Sequence, residues 1–194
     1  VTGSRAAALA ITIGVLTLGQ LLLGTVSGWE QYDGKGFGWR LLAYPVLMIA
    51  VPLLWRVLRR GEPVPWGAVS LVWLAFLLDV SGNTADLFDQ LAWWDDAMHF
   101  LNWGLLCGGL GLMLVPRRLP AWLVVLVVAG LGALLAIGWE LGEWYTFIRR
   151  GVELDTAYED TLGDLALGTL GATVAGVVLA RHRRAAEAGT GGAA

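Results

Sequence analysis

Cysteine occurs once in the 194 residues, as Cys107 among Gly and Leu, so no disulfide framework exists and no redox inference follows. Charge is scarce as well. Charged residues make up 15% of the chain and apolar residues 57%, against about 25% and roughly 45–50% in an ordinary soluble domain. No stretch between the apolar runs has room for a soluble domain, and no internal repeat is visible. With 13 basic residues and a net charge of −3, no nucleic-acid partner is expected. Histidine occurs only as His99 and His182, and the latter reads as one more polar anchor in a basic tail.

What is abundant points to a lipid bilayer. Glycine, at 27 residues, is twice its usual share of about 7%. Small residues are what lets helix backbones approach in lipid, where apolar side chains gain nothing by hiding from acyl tails. Eleven Trp are many for this length, and most of them, including Trp29, Trp39, Trp55, Trp93, Trp94, Trp122 and Trp144, fall near the ends of apolar runs, as an interfacial belt would place them.

A helix crosses a core of ~30 Å in about 20 residues. The apolar runs on this basis predict six spans near residues 6–27, 39–58, 66–83, 96–115, 120–144 and 158–180, an all-α polytopic membrane bundle forming one domain over 1–184. Arg5 before the first run resembles the start of a signal peptide, but a run of about twenty residues exceeds the usual 7–15, so a retained helix is expected. Pro45 and Pro52, seven apart, predict a kink in the second span. The Ala- and Gly-rich tail, 185–194, is expected to be disordered.

With six crossings, nine of the thirteen Lys and Arg fall on one side and four on the other, while fourteen of the sixteen acids fall on the side poor in base. The positive-inside rule then puts both termini in the cytoplasm. Depth turns the acids into a constellation. Counted from the basic anchors at 1.5 Å per residue, His99 lies ~27 Å up its helix, Glu140 ~30 Å and Asp164 ~26 Å. Asp96 and Asp160 come at ~32 Å, and Glu143 one turn beyond Glu140. Asp79, at ~20 Å, lies deeper, and it is expected to be protonated or hydrogen-bonded to a neighbouring helix, apart from the outer groups.

Residues three or four apart share a helix face. Asp95 or Asp96 with His99, Glu140 with Glu143, and Asp160 with Asp164 are such pairs. Smooth stripes at Gly132 and Ala136 on the fifth span and Gly168, Ala172 and Gly176 on the sixth would let these two helices draw their carboxylates together. Carboxylates crowded at low dielectric must be protonated, matched by Arg149 or Arg150, or bridged by a cation. One His with several carboxylates suits Zn, Mn or Fe. His99, Glu140, Glu143, Asp160 and Asp164 are therefore the candidate metal and catalytic residues, with Asp96 as a supporting or capping group. Arg149 and Arg150 are candidates for a substrate phosphate. The plainer reading is that Asp95, Asp96 and Asp160 open helices, where the macrodipole favours a carboxylate.

The run Trp94-Asp95-Asp96-Ala97-Met98-His99-Phe100, then Glu140-Leu141-Gly142-Glu143-Trp144, then Asp160-Thr161-Leu162-Gly163-Asp164 ahead of Gly168 and Gly171, resembles the pattern of the YjdF-like bacterial inner-membrane proteins and, more distantly, of the VanZ-like proteins. Glu143 and Asp164 stand where VanZ-like proteins usually carry Gln and Asn, which brings the chain closer to the YjdF type. The resemblance spans roughly residues 94–176. It implies a polytopic helical protein of the bacterial cytoplasmic membrane, with these residues as its characteristic set. Three functions stay open on the residues: an enzyme working on a lipid-linked or envelope substrate, a structural or accessory envelope protein, and a proton-coupled carrier of small molecules.

The topology is directly testable. Reporter fusions after residues 60, 90, 118, 152 and 184 are expected to read cytoplasmic, external, cytoplasmic, external and cytoplasmic. An external reading after residue 118 contradicts the six-span count.

Overall fold

The computed structural model describes residues 3–146, 148–150 and 156–191. The described residues form helices α1 (Gly3–Val26), α2 (Phe37–Leu58), α3 (Trp66–Thr84), the single turn α4 (Leu87–Gln90), α5 (Trp94–Leu114), α6 (Ala121–Thr146) and α7 (Ala157–Gly191), with 3-10 turns at Glu30–Tyr32 and Ile148–Arg150 and no strand among them. All but α4 are long and apolar enough to cross a membrane, six in total among the described residues. The protein is an all-helical polytopic membrane protein.

Proline and glycine punctuate the chain as their backbones require. Pro65 and Pro120 stand immediately before α3 and α6, where a missing N–H costs nothing. Gly36, at φ +65°, turns the chain into α2, in a conformation that strains any side chain with a Cβ. Within α2, Pro45 and Pro52 leave the helix assignment unbroken. Pro52 has no N–H for the carbonyl of Met48, and Trp73 of α3 supplies the donor instead, its Nε1 donating to Met48 O at 2.9 Å. α7 continues past Arg184 to Gly191, into the stretch whose composition predicts disorder. Alanine, the strongest helix former, carries it there.

Two layers of contact build the bundle. α7 packs along both α5 and α6, and α3 lies between α5 and α1, with α2 more lightly attached through α1 and α3. The tight contacts are where glycine stands. A Cβ on Gly171 would fall 2.0 Å from the carbonyl oxygen of Phe100, and one on Gly132 would fall 2.2 Å from Cβ of Ala172. The smooth stripes expected on α6 and α7 therefore do meet each other. Gly104 of α5 also turns to α7, against the backbone of Gly171. The outer surface is apolar: Val15, Leu42, Val46, Leu134, Leu141 and Val178 are exposed, as a bilayer permits. At the basic end Arg183 donates to the carbonyls of Val115 and Pro116 at 2.9 and 3.0 Å, which satisfies groups that the end of α5 leaves without helical partners.

Candidate functional site

Because successive spans alternate in direction, the start of α2, the end of α3, the start of α5, the end of α6 and the start of α7 share one end of the bundle. His99 is the hub there. Its Nδ1 lies 2.8 Å from Asp164 Oδ1 on α7 and 3.6 Å from Asp95 Oδ1 one turn earlier on α5, and its Nε2 lies 3.8 Å from Glu140 Oε1 on α6. Asp164 and Glu140 are buried. Glu140 is held from its other side by Thr161, whose Oγ1 donates to Oε2 at 3.0 Å. Nδ1 itself is shielded from solvent and has no aligned hydrogen bond despite its proximity to Asp164. One ligand atom each from Asp95, His99 and Asp164 lie within 4.8 Å of one another.

Beside this group a cavity of about 700 Å³ opens between α2, α3, α5 and α6. His99, Asp95, Glu143 and Asp160 line it together with Arg40, Tyr44 and Asp79. Of the residues expected at the site, His99, Glu140 and Asp164 make direct approaches, and Glu143 and Asp160 face the cavity. Asp96 is exposed, and Asp95 takes the place beside His99. Neither acid is the N-cap of α5, a position that falls on Trp93, which makes no side-chain cap hydrogen bond. Arg149 stacks on Tyr145, its guanidinium carbon 3.8 Å from the ring centroid, and is not among the cavity residues. The side chain of Arg150 lies outside the described residues.

The positive charge that matches the buried acids comes instead from Arg40. Its Nη1 donates to Asp79 Oδ2 at 2.6 Å, Tyr44 Oη donates to the same oxygen at 2.6 Å, and Nη2 lies 3.7 Å from Glu143 Oε1. Asp79 therefore pairs across helices, as its depth suggested, but it also forms part of the cavity wall. Arg40 lies ~27 Å from the basic end of its helix by the same count, above Asp79, and its long side chain reaches down to close the gap. The i,i+4 spacing of Arg40 and Tyr44 near the start of an apolar span was the available signal. At the mouth Lys35 Nζ lies 2.5 Å from Asp89 Oδ2, and that hydrogen bond holds the Asp89 carboxyl below the usual carboxylate range.

Residues 13–185 match the family described as "Predicted membrane protein (DUF2238)". No curated protein and no solved structure matches the chain.

A double-mutant cycle tests the Arg40–Asp79 pair, whose side chains retain only 13% and 16% of their exposure. Removing either partner leaves the other charge in a low-dielectric wall, at a cost of about 3 kcal/mol. Asp79→Leu and Arg40→Met are each expected to lower the unfolding midpoint in detergent, with the double variant losing clearly less than the sum of the two. Additive losses would show that the pair does not couple α2 to α3.

Proposed function

The chain belongs to the predicted membrane protein family DUF2238, and we propose that it is a bacterial inner-membrane protein of the YjdF type, with both termini cytoplasmic, whose acidic end holds a divalent cation and acts on a lipid-linked or envelope substrate. The observation that carries this reading is the approach of two carboxylates, Asp95 and Asp164, to a buried His99 Nδ1 that has no aligned hydrogen bond. Ligands on one ion with ~2 Å bonds stand about 3.3 Å apart in a tetrahedral site, and the separations of 3.6 and 2.8 Å bracket that value. Glu140 faces the other ring nitrogen, the position from which a carboxylate orients a metal-bound imidazole. In this arrangement His99, Asp95 and Asp164 are ligands and Glu140 positions the ring.

Zn, Mn or Fe fits the mixed nitrogen and oxygen donors. Bound there, the ion would polarise a substrate oxygen or a water. Glu143 and Asp160, which line the adjoining cavity, are the groups available to move a proton. The carrier reading finds less support, because Asp79, the acid nearest the midplane, is taken up by Arg40 and Tyr44.

One observation favours a second, purely structural reading. The 2.8 Å approach of His99 to Asp164 is also the distance of a direct imidazolium–carboxylate pair fastening α5 to α7.

Elemental analysis separates the two. Protein purified in uncharged detergent after growth with Zn, Mn and Fe is expected to retain about one divalent ion per chain. The ion should be absent from Asp164→Asn and released on acidification as its ligands protonate. Wild-type protein free of metal, with an Asp164→Asn variant that unfolds at lower temperature, would leave the structural pair as the account of the cluster.

A further inference from the structure

The charge around the cavity constrains what can enter it. Among the described residues seven acids line it, against His99 and two bases, Lys35 and Arg40. Both bases are engaged already, Lys35 by Asp89 and Arg40 by Asp79. Arg149 is stacked on Tyr145 outside the cavity. A phosphate or carboxylate arriving here would meet no free side-chain cation among the described residues of the wall, and it would lie in the field of several carboxylates.

Much of the remaining wall is aromatic. Tyr44, Phe76, Phe88, Trp103 and Trp139 all line the space, with Met98 and Leu106 among the aliphatic residues beside them. Ring faces attract cations, most strongly where water is excluded. The protein's own cation already illustrates the preference. The guanidinium carbon of Arg40 lies 5.6 Å from the Trp139 ring centroid and 5.9 Å from that of Tyr44 while its nitrogen binds Asp79. One wall of the cavity thus stabilises a positive charge by combining rings with carboxylates, and the same combination of rings and acids is presented to a ligand in the space beside it.

We infer that the cavity takes an amphiphilic organic cation, an ammonium head held near Glu143 with an apolar body laid against Trp103 and Trp139. A volume of about 700 Å³ accommodates a small molecule of this kind. The inference rests on the reading of this cavity as a ligand site and does not require the metal. It narrows the envelope substrate to one whose recognised group is an amine or quaternary ammonium.

Three probes of matched shape test it on the full chain in uncharged detergent with chelator present: phenethylammonium, 2-phenylethanol and phenyl phosphate. Quenching of tryptophan fluorescence and the shift in melting temperature report binding. Phenethylammonium is expected to bind about tenfold or more tightly than 2-phenylethanol, with no binding of phenyl phosphate. Glu143→Gln and Trp139→Leu should each weaken the ammonium severalfold while leaving 2-phenylethanol less affected. Where a variant fails to fold, the ranking on wild-type protein decides. Equal or tighter binding of phenyl phosphate overturns the inference while leaving the cavity a ligand site. Failure of all three probes overturns the inference and the ligand-site reading together.

Discussion

A carboxylate held among apolar helices loses the hydration that makes its charge tolerable, and it must find a counter-charge, a proton or an ion in its place. That constraint organises the acidic end of this bundle. Asp79 meets it with Arg40 and Tyr44, and Asp164 and Glu140 meet it around His99. Each solution spans two or more helices: α2 to α3 in the first case, and α5 to α6 and α7 in the second. Tertiary structure and charge neutralisation are therefore the same set of contacts at this end. α2, lightly packed elsewhere, is tied to α3 beside the cavity by the Arg40 guanidinium and the Tyr44 hydroxyl, both on Asp79.

The contacts require close backbones, and glycine supplies them. Phe100 is one residue from His99, and Gly171 is two turns below Asp164 on the same face of α7. The seating of Gly171 on the Phe100 carbonyl therefore sets how near the imidazole comes to the carboxylate. Gly132 against Ala172 does the same for α6 and α7, and so for the approach of Glu140 to Thr161. A larger residue at either point would push apart the helices that carry the cluster, which links a packing detail below the site to the geometry within it. The outer surface is under no such demand, and large aliphatic side chains face lipid freely there.

Much of this is readable from residue order alone, because membrane thickness and helical rise are fixed lengths. Six apolar runs of spanning length make the fold class legible, and depth counting brings His99, Glu140 and Asp164 to one level, where their side chains do approach one another. Angle and reach are harder to read. Asp95 and Asp96 are adjacent acids in the first turn of α5, and which of them turns inward is decided by how α5 rotates against α7. Arg40 enters the charge balance as one of the bases on the acidic side, and although its i,i+4 spacing with Tyr44 is a signal, nothing in a depth count says that its long side chain bends a turn inward to meet Asp79. Arg149 sits at a plausible level, yet a neighbouring ring, Tyr145, claims it. Sequence order is informative about height along the bundle normal and much less so about rotation around each helix.

Groups of α5, α6 and α7 neutralise one another at His99. The chain contains only two histidines, His99 and His182, so ring-15N labelling reports the site with a single competing signal from the basic tail. Solid-state NMR dephasing between ring 15N-histidine and side-chain-carboxyl 13C-aspartate, in protein reconstituted into bilayers, measures the His99–Asp164 separation directly. The account predicts strong dephasing of one imidazole by a carboxyl carbon at close contact, sharply reduced in Asp164→Asn. Weak dephasing of both histidines in the wild-type protein would contradict it.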